Sequence, residues 1–169
     1  MKYLRPLMRK SQSSPMALCC FNFLLTYGIP FNRRHGYRVL KIEPGQVETT
    51  IPYRKRNFNH IRGIHACAIA TLAEFAAGLV LLQSFTPQKY RLIMSKLHID
   101  YHYQAKTPLV AIASMEPEWV TQLKHKLETE DKVNQQVITE VFDENKNAIA
   151  TVATHWQLKR WDKVNVKLD

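Results

Sequence analysis

The sequence predicts an α+β domain in which an antiparallel sheet wraps one long buried helix. Three observations predict it. Residues 64–82 are apolar on nearly every side of a helical wheel, and a helix without a polar face is a buried one. Around that run lie segments with alternating apolar and polar residues, the period of a half-buried strand. Their order is two strands, the helix, then four strands, with hairpin turns inside the first and last pairs. The helical run approaches the roughly 20 residues that span a bilayer. However, it carries His65 near one end and Glu74 near its centre, and ionisable residues at bilayer depth are rare and costly. No membrane span is expected.

Residues 1–35 begin basic and continue into ALCCFNFLLTYGI. This has the charge and hydropathy of a leader, but Asn22 interrupts it and no clean small-residue cleavage site follows. One or two short amphipathic helices, packed on the domain and ending at Tyr27-Gly28-Ile29-Pro30, are expected. Residues 37–42 form a first strand, closed by the turn Glu43-Pro44-Gly45. Residues 46–53 form a second, with Val47, Thr49, Ile51 and Tyr53 on one face. The polar turn Asn59-His60-Ile61-Arg62-Gly63 enters the helix, and residues 84–88, with Pro87, end it. Residues 90–104 read as a long strand with Ile93, Leu97, Ile99, Tyr101 and Tyr103 broadly on one face. Residues 109–115 read as a short buried strand. Residues 117–127 fit either a helical turn or a bulged strand. Residues 132–142 and 148–160 alternate again around the loop Asp143–Asn147. The domain is expected over 36–162, with a tail at 163–169.

The net charge of +10 implies attraction to an anionic partner. The Lys and Arg residues are dispersed, with short clusters at Arg33-Arg34 and Arg54-Lys55-Arg56. A nucleic-acid module would add a reading helix or stacking aromatics, and neither is evident. Cys19, Cys20 and Cys67 contain no CxxC, so a reduced, cytoplasmic setting without disulfides is expected. Cys67 reads as a small buried hydrophobe. No metal is expected: His98 and His102 on a strand would stand about 13 Å apart, too far to share one ion.

The stretch NHIRGIHACAIATLAEFAAG, Asn59 to Gly78, joined to this strand order, resembles the hot-dog fold thioesterases. It is closest to their PaaI-like branch and its DUF4442 relatives, over roughly residues 27–160. The resemblance implies hydrolysis of an acyl thioester, usually of coenzyme A, without metal or other cofactor. The residues themselves fit that chemistry. A thioester needs an activated water or a carboxylate nucleophile, and donors aimed at the developing oxyanion. Glu74, desolvated in an apolar helix, would have a raised pKa, as a general base requires. Backbone N–H groups near His65 and Ala66 sit at the positive end of the helix. Asn59, Gly63 and His65 would place the carbonyl. Arg54, Lys55, Arg56 and Arg62 would meet the phosphates of coenzyme A.

Spacing adds a constraint. Glu74 follows His65 by nine residues, which is about 900° around a helix and about 13 Å along it. The two side chains cannot meet in one chain, so a composite site needs a homodimer, extendable to a dimer of dimers. Plainer readings stand beside these. Glu74 could be a buried acid paired with Arg62 or Asn59 across an interface, His65 a helix cap, and Asn59 a turn former. Two departures from the family pattern favour a non-catalytic acyl-CoA or fatty-acid binder as the alternative. Ala66-Cys67 stands where relatives have Gly-Gly, and Gly78 stands where relatives carry a hydroxyl.

Overall fold

The computed structural model describes residues 4–164. The tail expected at 163–169 therefore lies outside the described residues from 165 onward. Helices α1 (Leu4–Lys10), α2 (Pro15–Gly28) and α3 (Pro30–His35) precede the hairpin β1 (Arg38–Glu43) and β2 (Gln46–Ile51). Helix α4 (Ala66–Ser84) follows, then β3 (Tyr90–Tyr101), β4 (Leu109–Ser114), α5 (Pro117–Thr129), β5 (Val133–Asp143) and β6 (Ala148–Arg160). The six strands form one antiparallel sheet in the order β1-β2-β4-β5-β6-β3. Its concave face packs on α4 through β2, β4, β5 and β6.

The pairing of sheet and helix follows from the alternation. Val47, Thr49 and Ile51 turn inward, as the pattern predicts, and all three are fully buried. An inward threonine needs an acceptor, because an unpaired buried hydroxyl is costly. The Thr49 hydroxyl donates to the Leu72 carbonyl and that of Thr139 to the Ala73 carbonyl, so the sheet is bonded to α4 as well as packed on it. Leu72, Ala76, Ala77 and Val80 on α4 are completely covered. Truncating Leu72 to Ala would cost about 2–5 kcal/mol. At the far end the Gln83 carboxamide donates to the carbonyls of Glu43 and Gln46 and accepts from Gly45 N–H. That ties the helix C-terminus to the first hairpin, whose Gly45 has φ +75°.

Several expectations need correction. Among the described residues up to 35 there are three helices, because Pro30 starts a new helix instead of ending the segment. Asn22 is no interruption. Its carboxamide donates to the Val39 carbonyl and accepts from the Val39 N–H, which binds α2 to β1. Residues 117–129 are a helix with Leu123 and Leu127 inward. Strand β3 ends at Tyr101, and an irregularity between Met94 and Lys96 switches its faces. Ile93 is consequently exposed, while Leu97 and Ile99 beyond it are half-buried. Cys67 is exposed, as are Cys19 and Cys20, and all three thiols are free. Helix α4 is long and apolar enough to cross a membrane, but it is spent here as the core of the sheet.

Candidate active site

The sheet curls until both of its edges reach the first turn of α4. From the β1 edge, the Tyr37 hydroxyl donates to the Ala68 carbonyl at 2.9 Å. From the β3 edge, the Tyr101 hydroxyl donates to the Ala66 carbonyl at 3.0 Å. The wrap does not cover α4 completely. Cys67, Thr71, Glu74 and Gly78 recur at helical spacing and remain exposed or half-buried, while the residues between them are largely covered. The helix is apolar nearly all round, yet it keeps one open stripe, and that stripe holds its only carboxylate.

Glu74 is half-buried, and burial alone pushes its pKa up. It makes no ion pair with Arg62 or any other described residue. Tyr37 lies close enough to Thr71, Cys67 and Glu74 to feel all three, and its own burial pushes its pKa to about 12. Gly78 clears the space on the other side. A Cβ there would stand 3.4 Å from the Trp156 ring and 3.9 Å from Glu74 Oε1. The carboxylate therefore sits between a tyrosine and a tryptophan ring, with weakened solvation and no neutralising partner. Desolvation of this kind favours the protonated form and makes the carboxylate a better proton acceptor than an exposed one.

The entrance turn places the other expected residues. Asn59 closes the turn on itself: its side-chain oxygen accepts the N–H of Ile61 at 3.1 Å and of Gly63 at 2.9 Å. Gly63 is buried against residues 104–105, where a Cβ would come within 3.3 Å of the Ala105 carbonyl oxygen. Its role is close approach, and its N–H is already used. Arg62 adopts φ +59° at the exposed tip, with its carbonyl accepting from the Tyr53 hydroxyl.

His65 is the N-cap of α4, with extended backbone, and its Nδ1 accepts the Cys67 N–H at 3.1 Å. Because it stands outside the helix, the wheel argument that put its side chain opposite Glu74 does not apply. The axial separation does. The His65 N–H donates to the Asn57 carbonyl at 2.8 Å, and Ala68 N–H bonds the His65 carbonyl. Of the first-turn donors, only Ala66 N–H has no partner among the described residues.

Arg38, Arg54 and Arg56 lie close enough to repel one another. The Arg54 guanidinium packs against Gly36, the residue before Tyr37: a Cβ at Gly36 would be 1.9 Å from one of its terminal nitrogens. Arg54 Nε is buried without an acceptor. Desolvation lowers the Arg54 pKa, and repulsion from Arg56 and Arg38 lowers it further. Arg56 donates to the Arg34 carbonyl. No carboxylate pairs with these arginines among the described residues. Two clefts, of about 340 and 430 Å³, lie by Tyr103–Asn147 and between α1 and α5, and Glu74 lines neither.

The sheet order and the wrapped helix define the hot-dog fold. A Pseudomonas aeruginosa protein of unknown function, described as a probable thioesterase, has the same fold. It is 27% identical, with TM-score 0.78 over 89% of this chain and 99% of its own. A Haemophilus influenzae thioesterase aligns at 11% identity and TM-score 0.68 over 89% and 95%. A Staphylococcus aureus thioesterase aligns at 14% and 0.64 over 77% and 98%. No curated protein matches the chain. The family model for the domain of unknown function DUF4442 matches residues 19–158, and the chain belongs to that family.

Of the sequence-predicted residues, the structure gathers Asn59, Gly63, His65 and Ala66 at the helix entrance and puts Glu74 two turns further on. Sequence reasoning missed Tyr37, Tyr101 and Trp156. Each is an aromatic in or beside a strand, and no local signal separates it from a core aromatic.

Proposed function

We propose that the protein hydrolyses an acyl thioester of coenzyme A, with Glu74 as general base or nucleophile. The observation that carries this reading is the unpaired Glu74 carboxylate on the one open stripe of the core helix, raised by burial. As base, Glu74 takes a proton from water while the water oxygen bonds the thioester carbon. The oxyanion accepts the Ala66 N–H at the positive helix end. Collapse breaks the C–S bond, and the leaving sulfur takes the proton from Glu74, which restores the carboxylate. The arginines at 38, 54 and 56, lacking carboxylate partners, fit the nucleotide phosphates, and Arg62 stands at the rim.

Ala66 and Glu74 are eight residues apart, about 12 Å along one helix. One carbonyl cannot meet both in a single copy. The reading therefore includes a homodimer, with the donor from one copy and the carboxylate from the other. It is supported by β3, a twelve-residue edge strand with Ile93 and Met94 exposed. Unpaired edges of this kind are ready to accept another strand.

The test is thiol release from a panel of short, long and aromatic acyl-CoAs by wild type and Glu74→Gln. Release by the wild type alone supports the assignment; equal release by both proteins overturns it. The second reading, a non-catalytic acyl-CoA or fatty-acid binder, is favoured by the single free donor at the helix entrance. It predicts saturable binding without turnover, measurable by calorimetry.

A further inference from the structure

Helix α2 is apolar on two faces. Ala17, Phe21 and Leu25 pack inward. On the opposite side Met16, Phe23, Leu24 and Tyr27 form a stripe that continues into Phe31 of α3, with exposures of 77, 60, 47, 57 and 57%. Large apolar side chains gathered on an outer surface mark an interaction site. The charge around them has one sign: residues 1–42 contain no Asp or Glu, and Glu43 is the first acid of the chain. Arg33 stacks over the Tyr27 ring, its guanidinium carbon 5.0 Å from the centroid. Arg34 neighbours it, with Arg56 bonded to its carbonyl.

We propose that the outer face of α2 and α3 docks on an anionic phospholipid surface. The charge complementarity is direct, because the apolar stripe would enter the acyl boundary while Arg33 and Arg34 meet lipid phosphates. The helix cannot span. Its 14 residues reach about 21 Å, short of a hydrocarbon core of about 30 Å. Asn22 holds its inner face to β1, so it lies flat. A second copy on this face is disfavoured, since each copy would bring Arg33 and Arg34 to the interface and residues 1–42 offer no acid to pair with them. The inference does not depend on hydrolysis.

The test is flotation of the full chain with vesicles of phosphatidylcholine alone and of phosphatidylcholine with phosphatidylglycerol. Wild type should float with the anionic vesicles and be released by salt. Phe23→Glu with Leu24→Glu should lower partitioning about a hundredfold or more, and Arg33→Gln with Arg34→Gln about thirtyfold. Circular dichroism of each variant checks the fold. A Phe23→Trp variant should show blue-shifted emission on anionic vesicles. Equal or absent flotation with both vesicles, or unchanged tryptophan emission, overturns the proposal. So does loss of a self-associated species by Phe23→Glu with Leu24→Glu without vesicle binding, which would assign the face to a second copy.

Discussion

At one edge of the sheet, β1 is closed by α2, whose Asn22 carboxamide takes both polar groups of Val39. At the other edge, β3 runs twelve residues and pairs only with β6. The covered edge carries a half-buried polar pair and inward Val39 and Ile42. The bare edge carries exposed Ile93, Met94 and Tyr101. One edge is covered by a helix of the chain; the other is open among the described residues. The open stripe of α4 lies where the two edges come back together, so the Glu74 face borders both a covered boundary and an open one.

The comparison can be broken at three places. Glu74→Gln acts at the seam and should have the largest effect, lowering kcat by about 10²–10⁴-fold with circular dichroism unchanged. Next, Ile93→Asp with Met94→Asp places charges on the bare edge and should weaken self-association by about 10²-fold or more. Light scattering would then give the monomer mass at micromolar protein, with turnover falling alongside. A variant that stays dimeric moves the interface away from β3. At the covered edge, Asn22→Ala removes two hydrogen bonds and should cost about 2 kcal/mol. That corresponds to a fall in Tm of about 4–8 °C for a chain of this size. An unchanged Tm would mean that packing alone closes β1.

The smallest effect is on stability against pH. Glu74 keeps its proton to a higher pH folded than its ordinary value of 4.5. Its contribution to stability is thus fully present below about pH 4.5 and lost as pH rises through the raised folded value. Glu74→Gln, neutral throughout, should raise Tm modestly at pH 7 and leave it nearly unchanged at pH 4. A lower Tm at pH 7 would reveal a stabilising partner for the carboxylate.

Much of this was legible in the residues. Strand alternation at Val47, Thr49 and Ile51 gave the inward face, because a pleated strand has a side-chain period of two. The loop around Asp143 was readable for a chemical reason: its carboxylate accepts from Asn145 and Asn147 N–H. Residues 117–127 were ambiguous because Trp119, Val120, Leu123 and Leu127 are too sparse to decide between helix and bulged strand. The irregularity after Met94 was invisible, since one unpaired residue reverses the inward face without changing composition. At the site, Glu74 was legible as a carboxylate in an apolar run. The assignment of His65 was not, because its conformation depends on the Asn57 carbonyl that holds its N–H.

The sequence by itself determined the strands that flank the core helix, the single core helix and the presence of one acid in it, all of which follow from local periodicity and the cost of burying charge. Only the tertiary structure decided which side of α4 stays open. A helix apolar nearly all round carries no mark of its uncovered side. That side is set by how far the sheet curls, by where Tyr37 and Tyr101 from opposite edges bond the first turn, and by the room that Gly78 leaves beside Trp156. These are long-range contacts between residues far apart in the chain, and they form only when the whole sheet closes on the helix.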